Sequence, residues 1–88
     1  MSYVRHPQVL WDDVDGQLVL CHTETAQYYE LNPMGEKLWR ACDGIDLEAM
    51  TRLLAETHPE VDLASLAGDV RSYVATLLEE NLLCLREG

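Results

Sequence analysis

Cations are scarce in this chain. Six Lys and Arg stand against sixteen Asp and Glu, a formal net charge of −10 over 88 residues. Such a surface repels polyphosphate, so the charge weighs against nucleic acid as a partner. Cysteine is sparse and unpaired: Cys21, Cys42 and Cys84 form an odd count with no C-x-x-C spacing. That suits free thiols in a reducing cytoplasm better than a disulfide framework. No uncharged apolar run is long enough to cross a bilayer, and Arg5, His6 and Pro7 lead into no apolar signal segment. A cytoplasmic protein with no membrane partner is expected. Catalytic and metal-binding patterns are missing as well. His6, His22 and His58 are scattered, without H-x-x-x-H or Cys/His cluster spacing. There is no Gly-rich phosphate loop and no G-x-S-x-G. Cys21 beside His22 is only adjacency, since a strand sends neighbouring side chains to opposite faces. Cys42 sits on an apolar helical face and reads as a small core residue. No enzyme, no metal and no cofactor are expected.

What is present fits one globular domain over residues 1–88. Hydrophobic residues make up 48% of it, enough for a modest core without a disulfide or metal staple. The first third reads as strands. Gln8 to Trp11 is a short apolar run, Asp12 to Gly16 is turn chemistry with Asp15-Gly16 a favoured reversal pair, and Gln17 to His22 is a second strand. Thr23 to Thr25 turns the chain into a third strand, Ala26 to Leu31. There Gln27, Tyr29 and Leu31 share one face, while Ala26, Tyr28 and Glu30 share the other. These strands predict an antiparallel meander over about 8–31.

Helical spacing takes over at "NPMGEKLW". Asn32 is a cap and Pro33 suits the first turn, giving a helix over 33–42 with Gly35, Leu38, Trp39 and Cys42 on one face. Gly35 is expected to let this helix approach the sheet closely. Asp43-Gly44 stops the helix, Asp46 caps a second over 46–57, and a third spans 63–81. The third carries Leu66, Val70, Tyr73, Val74, Leu77 and Leu78 on a stripe about 140° wide, against the ~100° a one-sided surface helix needs. Leu82 to Leu85 is expected to return as an extended tail on the sheet. The fold class is α+β: a winged helix-turn-helix layout with an N-terminal three-stranded antiparallel sheet followed by three helices. DNA reading, the common use of that layout, needs several cations on one helix. The third helix has Arg71 as its only firm base, beside Asp69, Glu79 and Glu80. The layout stands without that function.

"YYELNPMGEKLWRACDG", then a helix, then "DVRSYVATLLEENLL", resembles the PqqD-like proteins, the precursor-peptide recognition elements of ribosomally made, modified peptides. The residues that carry the resemblance are Tyr28, Tyr29, Leu31, Asn32, Gly35, Trp39, Asp43, Gly44, Asp69, Val70, Leu82 and Leu83, in order, within Val9 to Leu85. Within the family, "GQLVL" followed by "TETAQYYELN" looks most like the stand-alone B1 proteins of lasso-peptide biosynthesis. Ala26 and Asn81 depart from the pattern, standing where glycine is usual, which leaves room for a local change of geometry at both. The resemblance implies a non-catalytic adaptor. It would bind the leader of a precursor peptide and deliver it to a leader peptidase and cyclase, or to another maturation enzyme. A sibling role would serve a radical-SAM pathway such as that of pyrroloquinoline quinone. A winged-helix regulatory or protein-interaction module is the alternative from another class.

The residues support strand addition on their own account. In a meander the third strand has an open edge, whose unpaired N–H and C=O groups can take another strand. The broad stripe on the third helix leaves apolar surface for side-chain pockets beside it. The expected leader-binding set is therefore Ala26, Gln27, Tyr28, Tyr29, Glu30 and Leu31 on the strand, with Asp69, Val70, Tyr73, Val74 and Leu77 on the helix. Core packing competes at many of these positions. Tyr29 and Leu31 read as core-facing and Tyr28 as the better ligand contact. Val70, Val74 and Leu77 lie mid-stripe, where core is favoured over groove, Tyr73 and Leu78 lie at its margins and can serve both, and Asp69 and Arg71 flank it as polar anchors or plain solvated charges.

Overall fold

The computed structural model describes residues 1–86. Six strands and three helices follow along them: β1 (Ser2–Arg5), β2 (Val9–Val14), β3 (Gln17–His22), β4 (Gln27–Glu30), α1 (Pro33–Ala41), β5 (Asp43–Ile45), α2 (Leu47–Ala55), α3 (Leu63–Glu79) and β6 (Leu83–Arg86). The architecture is the expected α+β, an N-terminal antiparallel meander with three helices after it.

The meander has the order β2-β3-β4, with Leu20 opposite both Trp11 and Tyr29. Its reversal is tighter than expected. β2 runs on to Val14, and the turn is confined to Asp15 and Gly16 at φ 52° and 81°. Two consecutive left-handed residues give the backbone twist that a two-residue hairpin loop requires. Alternation along β3 puts Leu18, Leu20 and His22 inward and leaves Gln17, Val19 and Cys21 partly exposed.

A second sheet, β5-β1-β6, lies outside the sequence reading. The tail from Leu82 does return as a strand, but it pairs with β1, Tyr3 opposite Leu85 and Val4 opposite Cys84, rather than with the meander. β1 also takes β5 on its other side, with a bulge between Tyr3 and Val4. Arg5, at the end of β1, donates from Nη1 to the carbonyl oxygens of Trp39 and Arg40 at 3.1 Å each. Both carbonyls lie in the last turn of α1, and that of Trp39 also accepts the Cys42 N–H at 3.2 Å.

The helix starts follow their caps. Asn32 Oδ1 accepts from the Gly35 N–H at 2.8 Å, Asp46 Oδ1 from Ala49 at 2.8 Å, and Asp62 Oδ2 from Ser65 at 3.3 Å. Each helix stops one or two residues short of the expected end. Gly44, at φ 90°, makes the left-handed turn expected past α1. Leu18, Leu20, Leu38, Trp39, Met50, Leu54 and Val70 are fully buried where the meander and the three helices meet. Burying each large aliphatic side chain contributes roughly 1.5–3 kcal/mol. Gly35 serves a different neighbour from the one expected. A Cβ at this position would overlap the Tyr73 hydroxyl, so its lack of a side chain lets α1 approach α3, not the sheet.

Candidate functional site

β4 is an edge strand: it pairs with β3, and no strand among the described residues covers its other side. Beside that edge runs α3, and between them lies a cleft of ≈ 360 Å³. Tyr29, Glu30 and Leu31 form one wall, Tyr73, Thr76, Leu77 and Glu80 the other, and Leu82 closes the end. At the start of β4 the cleft continues into a more polar pocket of ≈ 340 Å³ lined by His6, His22, Glu24, Thr25, Gln27, Tyr29, Glu79, Glu80 and Asn81. Tyr29 and Glu80 border both. The Tyr29 hydroxyl lies 2.7 Å from Gln27 Oε1 and 3.3 Å from Glu80 Oε2, so it donates across the junction. Desolvation, then the Glu80 carboxylate, raise the Tyr29 phenol above its ordinary value. Burial also raises that of Tyr73, with the Asn32 backbone acting in the opposite sense.

The structure sorts the expected binding residues into several groups. Tyr29, Leu31, Tyr73 and Leu77 come together around the cleft, with Glu30 at its border and Gln27 in the polar pocket. Asp69 is exposed, one helical turn before Tyr73. Val70 and Val74 are 0% and 2% exposed and belong to the buried core, not to the lining of the cleft. Ala26 lies before the paired strand, in the turn, at φ 59°. Tyr28 is 74% exposed but faces the other side of the sheet, next to Cys21. There it joins Leu10, Val14 and Val19 on a shallow apolar surface. Arg71 lines a separate groove between α2 and α3.

Sequence reading missed Thr76, Glu80 and Leu82. The first two follow Tyr73 at i+3 and i+7, so helical spacing could have found them. Leu82 enters through the fold of the chain past α3, which no local pattern shows.

His6 and His22, scattered in sequence, meet in space with ring centroids 4.9 Å apart, and Glu24 completes a group whose ligand-type atoms lie within 4.8 Å of one another. Their hydrogen bonds argue against metal ligation. His6 Nδ1 accepts from the Gln8 N–H at 3.0 Å and His22 Nδ1 from the Glu24 N–H at 3.3 Å. A neutral ring that accepts at Nδ1 carries its proton at Nε2, and so offers a donor there instead of a lone pair. His22 Nε2 is buried with no partner among the described residues.

Thiol chemistry finds no support in the geometry. Cys21 and His22 point to opposite faces of β3, and burial pushes the Cys42 thiol up to about 11 despite the nearby Arg5 charge. No helix among the described residues is long and apolar enough to cross a membrane.

Two solved structures share this fold. One is TbiB1 in complex with the TbiA(beta) leader peptide, 22% identical, with a TM-score of 0.84 over 97% of this chain and 99% of that one. The other is a lasso peptide synthetase B1 complexed with the leader peptide, 19% identical, with a TM-score of 0.81 over 97% and 100%. No curated protein matches the chain significantly. The family of coenzyme PQQ synthesis protein D matches residues 17–83, which take in β3, β4, all three helices and both walls of the cleft, and the chain belongs to this PqqD family.

Proposed function

We propose that the chain is a non-catalytic adaptor that binds the leader segment of a ribosomally made precursor peptide and presents it to separate maturation enzymes. The observation that carries this reading is the free edge of β4 alongside an apolar cleft whose far wall is α3. An extended peptide can pair its backbone with such an edge while placing alternate side chains in the cleft. Backbone pairing sets register, and Tyr29, Tyr73 and Leu77 choose the side chains. The tyrosines suit this role, since each offers large contact area and loses little rotamer freedom. Leader peptides bound to two proteins of the same fold favour the lasso pathway, with a leader peptidase and a cyclase as recipients. A radical-SAM pathway is the second reading, favoured by the family's namesake.

Titration with the leader of a precursor reading frame encoded beside this gene tests the proposal. Amide exchange should show protection rising over Gln27 to Leu31 and along α3 from Tyr73 to Glu80. Protection on α2 and the Asp43-Gly44 turn instead would place the ligand elsewhere and end the strand-addition reading.

A further inference from the structure

The chain's six cations all lie away from the groove between β4 and α3. Arg5 is bound to the end of α1 and lies over Trp11, and Arg40 meets Asp13 and Glu36. Lys37 donates to Thr57, Arg52 pairs with Glu48, Arg71 lines the α2–α3 groove, and Arg86 lies against Gly44. Four of the sixteen carboxylates, by contrast, border the groove. Glu24, Glu79 and Glu80 border the polar pocket, and Glu30 and Glu80 the apolar cleft, with no Lys or Arg lining either among the described residues. None of these four makes a salt bridge among the described residues.

We infer that the groove selects a basic extended peptide, with apolar side chains in the cleft and a Lys or Arg side chain in the polar pocket at the start of β4. The inference rests on the strand-addition reading and adds the charge of the ligand to it. A pocket of ≈ 340 Å³ is large enough for one long basic side chain, and carboxylates on both walls can share its charge. Gln27 Oε1 and the Tyr29 oxygen add further acceptors. His22 adds to this: it is 4% exposed and lines the pocket, and its Nε2 lies buried with no hydrogen-bond partner among the described residues. Such an orphan donor calls for an acceptor, which a rotation of the ring toward the pocket would bring within reach of a ligand. The carbonyl of an incoming backbone is an acceptor of that kind. An acidic peptide is disfavoured twice, by repulsion at the groove and by the overall charge of −10. The same charge argues against a second copy of this chain as the occupant.

A displayed library of random 12-residue peptides, selected on the full chain at low salt, tests the inference. Binders should carry Lys and Arg several-fold in excess of Asp and Glu, and raising the salt should weaken them about tenfold or more, as expected for exposed charge pairs. The excess should collapse on a variant with Glu24→Gln, Glu30→Gln and Glu79→Gln. It should persist on a control of equal net charge, Glu48→Gln with Glu56→Gln and Glu60→Gln on the α2 side. All six are exposed side chains, so both variants should fold, and amide exchange on the complexes shows where each peptide lies. Binders that protect β4 without an excess of cations would overturn the charge inference and leave strand addition standing. An equal loss on both variants would reduce the effect to net charge and likewise overturn it. If the selected binders failed to protect β4 at all, strand addition itself would fall, and the inference with it.

Discussion

Ala26 holds φ at 59° in the turn between β3 and β4, and Asn81 holds the same angle past α3. These are the two positions where the resemblance led to glycine being expected, and both hold a left-handed backbone. Asparagine tolerates this region because its short polar side chain can bond locally; alanine cannot. Ala26→Gly should therefore raise stability by about 1 kcal/mol in urea unfolding. Gly35 tests the opposite sense. Gly35→Ala favours the helix locally but drives a methyl into Tyr73, and should cost about 1–3 kcal/mol. Tyr73→Ala in the same chain removes the clash, so the two losses should add to less than their sum in a double-mutant cycle. Cys42 sets a pH dependence. Its thiol titrates at about 11 in the fold against 9.0 when unperturbed. The folded chain keeps a proton that the unfolded chain releases, so this contribution is whole below pH 9 and is lost as pH rises toward 11. Cys42→Ala should flatten that fall in an unfolding series from pH 8 to pH 11.

β4 and α3 carry the candidate site as elements, and the two tyrosines of β4 part company on them. Tyr29 faces α3 and the cleft, whereas Tyr28 faces outward over the sheet. Tyr73→Ala should weaken leader binding by roughly 1–3 kcal/mol, the usual range for a contact aromatic. Tyr28→Ala should leave leader affinity nearly unchanged by calorimetry, a reversal of the ranking that strand alternation alone invites. The second sheet has its own test. β1 is its central strand, hydrogen-bonded to β5 on one side and β6 on the other. Val4→Pro removes an N–H in that strand and leaves a ladder partner orphaned, at a cost of about 1–3 kcal/mol for the unpaired group. Thermal unfolding that did not respond to this change would mean β1 is not held between β5 and β6.

At the scale of the molecule, acids are spread over the surface, whereas the six cations all lie away from the groove. The overall acidity weighs against phosphate as a ligand. Duplex DNA should show no appreciable binding at physiological salt in a gel shift, and tight salt-sensitive binding there would contradict the charge reading.

Local chemistry settled much of this protein in advance. Asn32, Asp46 and the Asp15-Gly16 pair specify caps and a reversal through bonds that span only a few residues, so the helices and the meander were legible from sequence alone. The open edge of β4 followed from strand count, and the acidic balance weighed against nucleic acid. Tertiary structure decided what depends on residues distant in the chain. Ser2 to Arg5 is too short to announce itself as a strand, and becomes one only because β5 and β6 arrive on either side of it. His6 and His22 become neighbours because β2 pairs with β3, which sets Val9 opposite His22, and the turn before β2 folds His6 back onto Val9. Val70 and Val74, placed on both core and groove by one broad stripe, were assigned to the core by the way the other elements pack around α3. Periodicity gives the width of an apolar face, but which part of it is covered depends on where the other elements pack.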